Sequence, residues 1–326
     1  MGTGCLTLKA SWKDASGLQQ PVTRDSQLAT WMRKGLIQIS KELRVRIVGI
    51  GKVGSGIVET FAQCGFTVYG VDTDKKQIDN ALNSIDSDLK KLLEKEKITD
   101  AEKDLILSRI RFGTDLGLIR DADVVVEAIL EDIQAKKELF KTIDHLVVSK
   151  EALILTNTSS LSVTDIAAAT ERPEQVAGMH FFNPVPVMKL VEVVRGVLTS
   201  KETVSLVKQL AITMGKTPIV SADSPGFIVN RLLNALVVEA TRIVAENVGS
   251  IEDVDIGARL GCGHPMGPFE LLDYLNALPL VLDVTDYMAD GLGERFRMPA
   301  WVREMVKKDN GDSIACGRFY DRKPSS

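Results

Sequence analysis

The apolar residues of this chain follow two periods, which predict an open α/β domain and then a helical one. From residue 45 to about residue 220, short β-branched runs alternate with longer segments in which apolar residues recur at helical spacing. The predicted strands are residues 45–49, 66–71, 110–112, 123–126, 153–155, 176–179, 190–194 and 218–220. Strands separated by helices are typical of βαβ units, whose strands pair in parallel. The pattern therefore favours a mostly parallel sheet.

The segment between the second and third predicted strands has the period of a helix, followed by a helix start signal. Apolar residues recur at helical spacing between Lys75 and Lys97. Thr99 and Glu102 then have the spacing of a capping box. We therefore expect a helical hairpin inserted into the sheet domain. Its lysines alternate with Glu94, which favours a solvated surface over an anion-binding one.

Beyond the last predicted strand the period is helical alone. The apolar residues from Phe227 to Val244 predict one long helix, and Ser250 to Asp253 has the pattern that starts another. The apolar faces of these helices exceed what one thin layer can cover, so packing between subunits, as in a homodimer, is expected. The chain is accordingly divided into a leader (1–41), a sheet domain (42–222) and a helical domain (223–326).

Glycines at the first predicted strand-to-helix turn indicate a dinucleotide site. Gly49 permits a tight turn, Gly51 lets a pyrophosphate approach the backbone, and Gly54 allows the helix to pack on the strand. The second strand ends at Asp72, where a carboxylate would bind ribose hydroxyls and repel a 2′-phosphate. The pattern predicts NAD(H) in preference to NADP(H), with a chance glycine-rich turn as the alternative.

His180 is the candidate general base, since it lies in an apolar segment with a carboxylate twelve residues later. A histidine shuttles protons near neutral pH when a partner fixes its tautomer and stabilises the imidazolium. Glu192, on a neighbouring predicted strand, could do both. The alternative is a core histidine beside an unrelated surface glutamate.

Five motifs in order resemble the L-3-hydroxyacyl-coenzyme A dehydrogenase family, in particular its short-chain 3-hydroxybutyryl-CoA members. The motifs are residues 126–131, 157–161, 178–184, 225–231 and 265–273. The resemblance runs from about Arg44 to the C-terminus. It implies a Rossmann-like, doubly wound α/β domain with the inserted hairpin and an all-α domain for substrate binding and dimerisation. It also implies hydride transfer between NAD(H) and C3 of a short-chain 3-hydroxyacyl-CoA or 3-ketoacyl-CoA.

The same resemblance assigns roles to individual residues. It makes His180 the catalytic acid and base and Glu192 its partner, with Ser159 and Asn230 binding the substrate's oxygen groups. Three further residues would line the cofactor and its nicotinamide: Glu131, Lys136 and Asn183. Each assignment has a plainer alternative: a turn serine, a helix-capping asparagine, and for Lys136 a solvated lysine. The hairpin's lysines could likewise attract the phosphates of coenzyme A.

The chain departs from the family's pattern near its C-terminus. The family has a glycine before a Phe-Tyr pair, whereas this chain has Arg318 before Phe319 and Tyr320. A non-glycine residue at a positive φ there would cost on the order of 1 kcal/mol. A smaller departure is Val53 in the glycine turn, where the family usually has methionine.

Composition excludes several other classes of protein. A net charge of −4 gives no surface for nucleic acid, and no apolar run reaches the roughly 18 residues of a membrane span. The four cysteines are scattered, and the three histidines lack a metal-binding spacing, so neither a disulfide framework nor a metal site is expected. A reducing, cytoplasmic compartment is the default expectation.

The first 41 residues differ from the rest in charge and show no sustained apolar period. They carry a net charge of +4, which leaves −8 for the remainder. We expect a disordered leader that fold and catalysis do not need. It could be a transit peptide to the mitochondrial matrix, a cloning extension or an over-extended start.

The sequence leaves two rival functions open. One is a related NAD-dependent dehydrogenase of another hydroxy acid, such as a sugar acid. The other is a non-catalytic NAD-binding protein on the same fold. The presence of Ser159, His180, Glu192 and Asn230 together favours the acyl-CoA enzyme over both.

Overall fold

A computed structural model of the chain describes residues 39–276, 278–307 and 318–320. The predicted leader therefore lies outside the described residues except for its last positions. Ile39, within the predicted leader, is buried, as is Leu43.

One eight-stranded sheet forms the centre of the first domain. Its strands are β1 (Val45–Val48), β2 (Val68–Val71), β3 (Ile110–Gly113), β4 (Val124–Glu127), β5 (Leu153–Thr156), β6 (Val176–Phe181), β7 (Leu190–Arg195) and β8 (Thr217–Ala222). The spatial order is β3-β2-β1-β4-β5-β6-β7-β8, and every neighbouring pair is parallel except β6 with β7. Strands β1, β4, β5 and β6 are buried along their whole length and mostly apolar, because helices cover the sheet. The predicted α/β fold is confirmed.

The helices of this domain connect its strands. They are α1 (Lys52–Gln63), α2 (Lys75–Glu94), α3 (Asp100–Ser108), α4 (Ile133–Leu146), α5 (Val163–Ala167) and α6 (Lys201–Thr213). Short 3₁₀ turns lie at Leu116–Ile119 and Pro173–Gln175. Helices α2 and α3 form the predicted hairpin, and the Thr99–Glu102 capping box is present. The first of them ends at Glu94 instead of Lys97, because Glu96 has a φ of +53°.

The second domain is helical, as predicted. Its elements are α7 (Val229–Ala245), α8 (Ile251–Ile256), a π-helical turn (Gly257–Gly261), α9 (Pro268–Leu275), α10 (Leu278–Leu292), a 3₁₀ turn (Glu294–Phe296) and α11 (Ala300–Lys307). The side chain of Ser250 caps α8 by accepting a hydrogen bond from the amide of Asp253. The prediction that the long helix includes Phe227 is wrong. Phe227 is buried with a φ of +46°, so it belongs to the turn that leads into α7.

Each domain has an apolar core. The cluster below the sheet includes Val125, Phe140 and Ile154. The cluster of the helical domain is formed by Val237, Leu272, Val302 and their neighbours. Within the described ranges, no helix is both long and apolar enough to cross a membrane.

The Phe-Tyr pair near the C-terminus packs on the helical domain although Arg318 precedes it. Asp273 accepts hydrogen bonds from the amides of Phe319 and Tyr320, at 3.0 and 2.8 Å. The Phe319 ring lies 4.8 Å from that of Phe269, centroid to centroid. These contacts hold the pair against α9.

Candidate active site

The glycine turn between β1 and α1 has the shape that a bound dinucleotide needs. Gly49 has a φ of +90°, and a Cβ on it would lie 2.7 Å from the carbonyl of Ala128. A Cβ on Gly54 would lie 1.9 Å from the carbonyl oxygen of Gly49. Gly51 is the N-cap of α1. Within the described part of the chain, no atom lies within 4 Å of the position that a Cβ on Gly51 would occupy, and no side chain caps the helix. The first amides of α1 are therefore open to an anion, so the site fits a diphosphate.

Asp72 follows β2 and contacts the same turn. One carboxylate oxygen accepts a hydrogen bond from the amide of Ile50 at 2.7 Å, and the other accepts from the amide of Asp74 at 3.0 Å. Asp72 thus fixes the backbone between the first two glycines. It stands at the carboxyl end of β2, beside the place where a ribose would follow the diphosphate.

His180 and Glu192 meet across the antiparallel pair of strands. They are direct partners in the β6–β7 register, and His180 Nδ1 lies 2.8 Å from Glu192 Oε2. Both side chains are buried. The other carboxylate oxygen of Glu192 accepts from the amides of Ile228 and Val229, at 3.1 and 3.0 Å, where α7 begins. The start of a helix favours a negative charge, so the carboxylate is well placed to stabilise an imidazolium.

The ring of His180 is held in place by aromatic neighbours. Phe182 lies 4.5 Å away and Phe227 5.9 Å away, measured between ring centroids. With Nδ1 bonded to the carboxylate, Nε2 is the nitrogen left to exchange a proton with a ligand.

Ser159 and Asn230 are 71 positions apart in the sequence and adjacent in the fold. The side-chain amide of Asn230 donates to the backbone carbonyl of Ser159 at 3.1 Å. Ser159 is half-buried, and its hydroxyl donates to Glu131 at 3.2 Å. Asn230 therefore links the helical domain to the loop after β5, in addition to lying in the first turn of α7.

Glu131 organises that loop. Its Oε1 accepts from the hydroxyl of Thr158 at 2.6 Å and from the amides of Ser159 and Ser160, at 2.9 and 3.2 Å. Burial would raise the pKa of Glu131, but the charge of Lys136 and these hydrogen bonds outweigh it, and the pKa is lowered. The carboxylate is thus ionised near neutral pH.

Lys136 is an internal residue, so the alternative of a solvated lysine is wrong. Only 1% of its surface is exposed, and its Nζ lies 2.5 Å from Glu127 Oε1 and 3.4 Å from Glu131 Oε2. Glu127 is fully buried and also accepts from the hydroxyl of Thr156 at 2.7 Å. A continuous polar chain therefore runs from Glu127 through Lys136 and Glu131 to Ser159.

Asn183 lies apart from this polar chain. It is exposed in the segment after β6, and its side chain makes no hydrogen bond to the described residues. Its expected place beside the nicotinamide stays a prediction. No group of side chains in the described ranges could hold a metal ion.

Sequence reasoning missed several residues that support the site. They are Glu127, Asn157, Thr158 and Phe227. Asn157 accepts a hydrogen bond from the amide of Phe181 at 2.9 Å, which ties the loop after β5 to the strand of His180. Glu127 and Asn157 lie inside motifs that the sequence analysis quoted, so their position next to the named residues was the available signal. Phe227 lies in the turn before α7, where the apolar period predicts helix.

Two family models match consecutive parts of the chain. The model "3-hydroxyacyl-CoA dehydrogenase, NAD binding domain" matches residues 44–224, and "3-hydroxyacyl-CoA dehydrogenase, C-terminal domain" matches residues 226–322. The chain belongs to the 3-hydroxyacyl-CoA dehydrogenase family. The resemblance seen in the motifs is thereby confirmed, as is NAD as the cofactor.

Individual members of the family are similar over most of their length. The 3-hydroxybutyryl-CoA dehydrogenase of Clostridioides difficile is 43% identical over 281 residues, which cover 86% of this chain and 99% of that protein. The mitochondrial hydroxyacyl-coenzyme A dehydrogenase of Sus scrofa is 41% identical, covering 77% of this chain and 80% of its own. Among solved structures, (S)-3-hydroxybutyryl-CoA dehydrogenase of Ralstonia eutropha superposes with a TM-score of 0.79 at 39% identity, covering 82% of this chain and 94% of that chain.

Proposed function

We propose that this member of the family catalyses NAD-dependent oxidoreduction at C3 of short-chain 3-hydroxyacyl-CoA thioesters, with 3-hydroxybutyryl-CoA and acetoacetyl-CoA as a substrate pair. The observation that carries the proposal is the buried His180–Glu192 pair. It lies towards the carboxyl end of β6, and the glycine turn follows the carboxyl end of the parallel strand β1. The carboxyl ends of parallel strands are where open α/β sheets bind ligands. The relatives' names supply the substrate class.

The protein's part in the reaction is proton transfer and orientation. In the direction of reduction, His180 Nε2 gives a proton to the C3 oxygen, and in oxidation it takes that proton back. Glu192 keeps Nδ1 protonated and stabilises the imidazolium that forms. Gly49, Gly51 and Gly54 would hold NAD(H), which would accept or supply the hydride.

Ser159 and Asn230 orient the thioester in this proposal. The Ser159 hydroxyl can donate to a substrate oxygen, while Asn230 holds the backbone of the same loop. Glu131 keeps that loop in place through its hydrogen bonds, and Lys136 pairs with Glu131. Because Glu131 also accepts from the Ser159 hydroxyl, a bound substrate oxygen would compete with Glu131 for it.

The direct test measures NADH oxidation with acetoacetyl-CoA and, in parallel, with free acetoacetate and a sugar-derived keto acid. We expect turnover with the thioester and a kcat/KM at least about 100-fold lower with the free acids, since remote binding energy raises the rate at the reacting centre. Equal activity on a free acid would favour the dehydrogenase of another hydroxy acid. NADH binding without turnover of any substrate would favour the non-catalytic alternative.

We also propose that the helical domain forms a homodimer. Leu232 on α7, Leu260 after α8 and Tyr274 on α9 expose 69, 83 and 66% of their surfaces, and burying these apolar side chains against a second copy would be favourable. Light scattering on the purified protein should give about twice the chain mass of 35.6 kDa. A mass equal to one chain would refute the dimer.

The compartment is proposed to be the cytoplasm, with the mitochondrial matrix as the alternative if the basic leader is a transit peptide. Relatives from bacteria and from mitochondria are both similar to this chain. Fractionation of the source cells, followed by detection of the full-length and processed chains, decides between the two.

A further inference from the structure

Lys216 is a buried cation outside the polar chain of the active site. It lies between α6 and β8 with 8% of its surface exposed, and within the described ranges it forms no ion pair. Its Nζ instead donates to the carbonyl of Val185 at 2.5 Å and to that of Met188 at 2.7 Å. Burial lowers the pKa of the ammonium, although Cys64 acts in the other direction. Burying a cation that has no carboxylate partner costs free energy of folding, so a functional reason for the position of Lys216 is worth seeking.

The backbone on both sides of Lys216 is held firmly. Helix α6 ends at Thr213, and Gly215 beyond it has a φ of +70°, so that the amide of Lys216 donates back to the carbonyl of Ala211 at 3.0 Å. The next amide, that of Thr217, donates to the carbonyl of Lys189 at 2.7 Å and starts the β7–β8 pairing. The ammonium is therefore presented from a rigid turn.

The two carbonyls belong to the segment 182–189, which joins the strand of His180 to the strand of Glu192. Within it, the amides of residues 187 and 188 donate to the carbonyl of Pro184 at 3.0 and 2.9 Å. Val185 is buried against α1, where a Cβ on Gly56 would lie only 3.0 Å from the Val185 Cβ. The segment is thus held between Lys216 and the helix that opens at the glycine turn.

We propose that Lys216 is a positioning residue of the dehydrogenase reaction. Its ammonium holds the segment 182–189 against α1, and so sets where Asn183 and His180 stand relative to the glycine turn that receives the cofactor. This inference rests on the proposed function. Because catalysis is sensitive to misplacement of about 1 Å, releasing the segment lowers the rate without removing any group that touches the substrate.

The test replaces Lys216 by methionine, which fills a similar volume but donates no hydrogen bond. Lys208→Met, at an exposed lysine on α6, is the matched control. For Lys216→Met we expect kcat to fall about tenfold or more, with the KM for acetoacetyl-CoA changed less than about twofold. We expect its NADH dissociation constant, measured by fluorescence titration, to rise about threefold or more, because the segment packs on α1. Lys208→Met should match the parent in all three.

A Lys216→Met protein that melts at a lower temperature but keeps the parental kcat and NADH affinity would overturn the inference, since the lysine would then serve stability alone. If the methionine variant does not fold, Lys216→Gln is measured against the same criteria. If the parent itself fails to reduce acetoacetyl-CoA, the proposed function fails. The NADH titration still tests Lys216 in that case, because it requires no thioester.

Discussion

At the scale of single residues, the proposed chemistry depends on one nitrogen of His180. Nδ1 is hydrogen-bonded to one carboxylate oxygen of Glu192, and the amides at the start of α7 donate to the other oxygen. The imidazole therefore has a fixed orientation and one nitrogen available for proton exchange. In the proposed reaction the two residues therefore act together, although neither is unusual alone.

The first prediction at this scale concerns His180→Gln. General acid–base catalysis usually contributes about 10² to 10⁴ in rate, so kcat with acetoacetyl-CoA should fall by that factor, or roughly 3 to 5 kcal/mol of barrier. NADH affinity should stay near the parental value, because His180 does not form the glycine turn. A kcat within about threefold of the parent would remove His180 from the mechanism.

The second prediction concerns the choice of cofactor. Asp72 should make NADH a better substrate than NADPH, since its carboxylate would meet a 2′-phosphate. Asp72→Ala should narrow that preference. It should also weaken the binding of both cofactors, because it removes the hydrogen bond that the amide of Ile50 donates to Asp72. The measurement is the ratio of kcat/KM for NADH and NADPH in both proteins. A ratio near one in the parent would contradict the role of Asp72.

At the scale of elements, a buried carboxyl couples the cofactor helix α1 to the hairpin. Glu59 on α1 is 2% exposed, and Gln63 donates to it at 2.7 Å. Burial first, and then the charge of Asp88 on α2, raise the pKa of Glu59 to about 8, while Lys91 acts against them. The folded protein therefore keeps this carboxyl protonated near neutral pH.

This pKa predicts how stability varies with pH. Between pH 4.5 and about 8 the unfolded chain releases the Glu59 proton while the folded protein retains it, so this residue's contribution to the free energy of unfolding falls as the pH rises. Glu59→Gln should remove that fall and should gain stability over the parent towards pH 8. Urea unfolding across this range measures it, with Glu94→Gln at the exposed end of α2 as the control. Parallel curves for parent and Glu59→Gln would exclude the effect.

At the scale of the whole molecule, the described residues from 39 onward contain the sheet, the helical domain and the proposed site. We predict that the leader is dispensable for fold and catalysis. Because Ile39 is buried, the shortened chain should begin just before it and not at Lys41. Its melting temperature and kcat should equal those of the full chain. A large drop in either would show that the leader packs on the enzyme.

Sequence patterns alone determined the order and type of the elements and the place of the cofactor turn. Both are local properties: apolar period distinguishes strand from helix, and only glycine tolerates the φ and the close contacts of Gly49 and Gly54. The motifs also named His180, Glu192, Ser159 and Asn230 before any geometry was available. Element ends were less certain, as Phe227 shows, because a residue that packs like a helix residue can still lie in a turn.

Only the tertiary structure decided which residues meet. The β6–β7 register places Glu192 opposite His180, and the approach of α7 to the loop after β5 joins Asn230 to Ser159. The burial of Lys136 and Lys216 could not be foreseen, since an ordinary lysine in a helix or turn is exposed. Whether a charge is solvated, paired or bonded to carbonyls depends on groups distant in the sequence. For that reason the sequence could name the residues of the proposed site, whereas the burial and the partners of their charges could be known only from the fold.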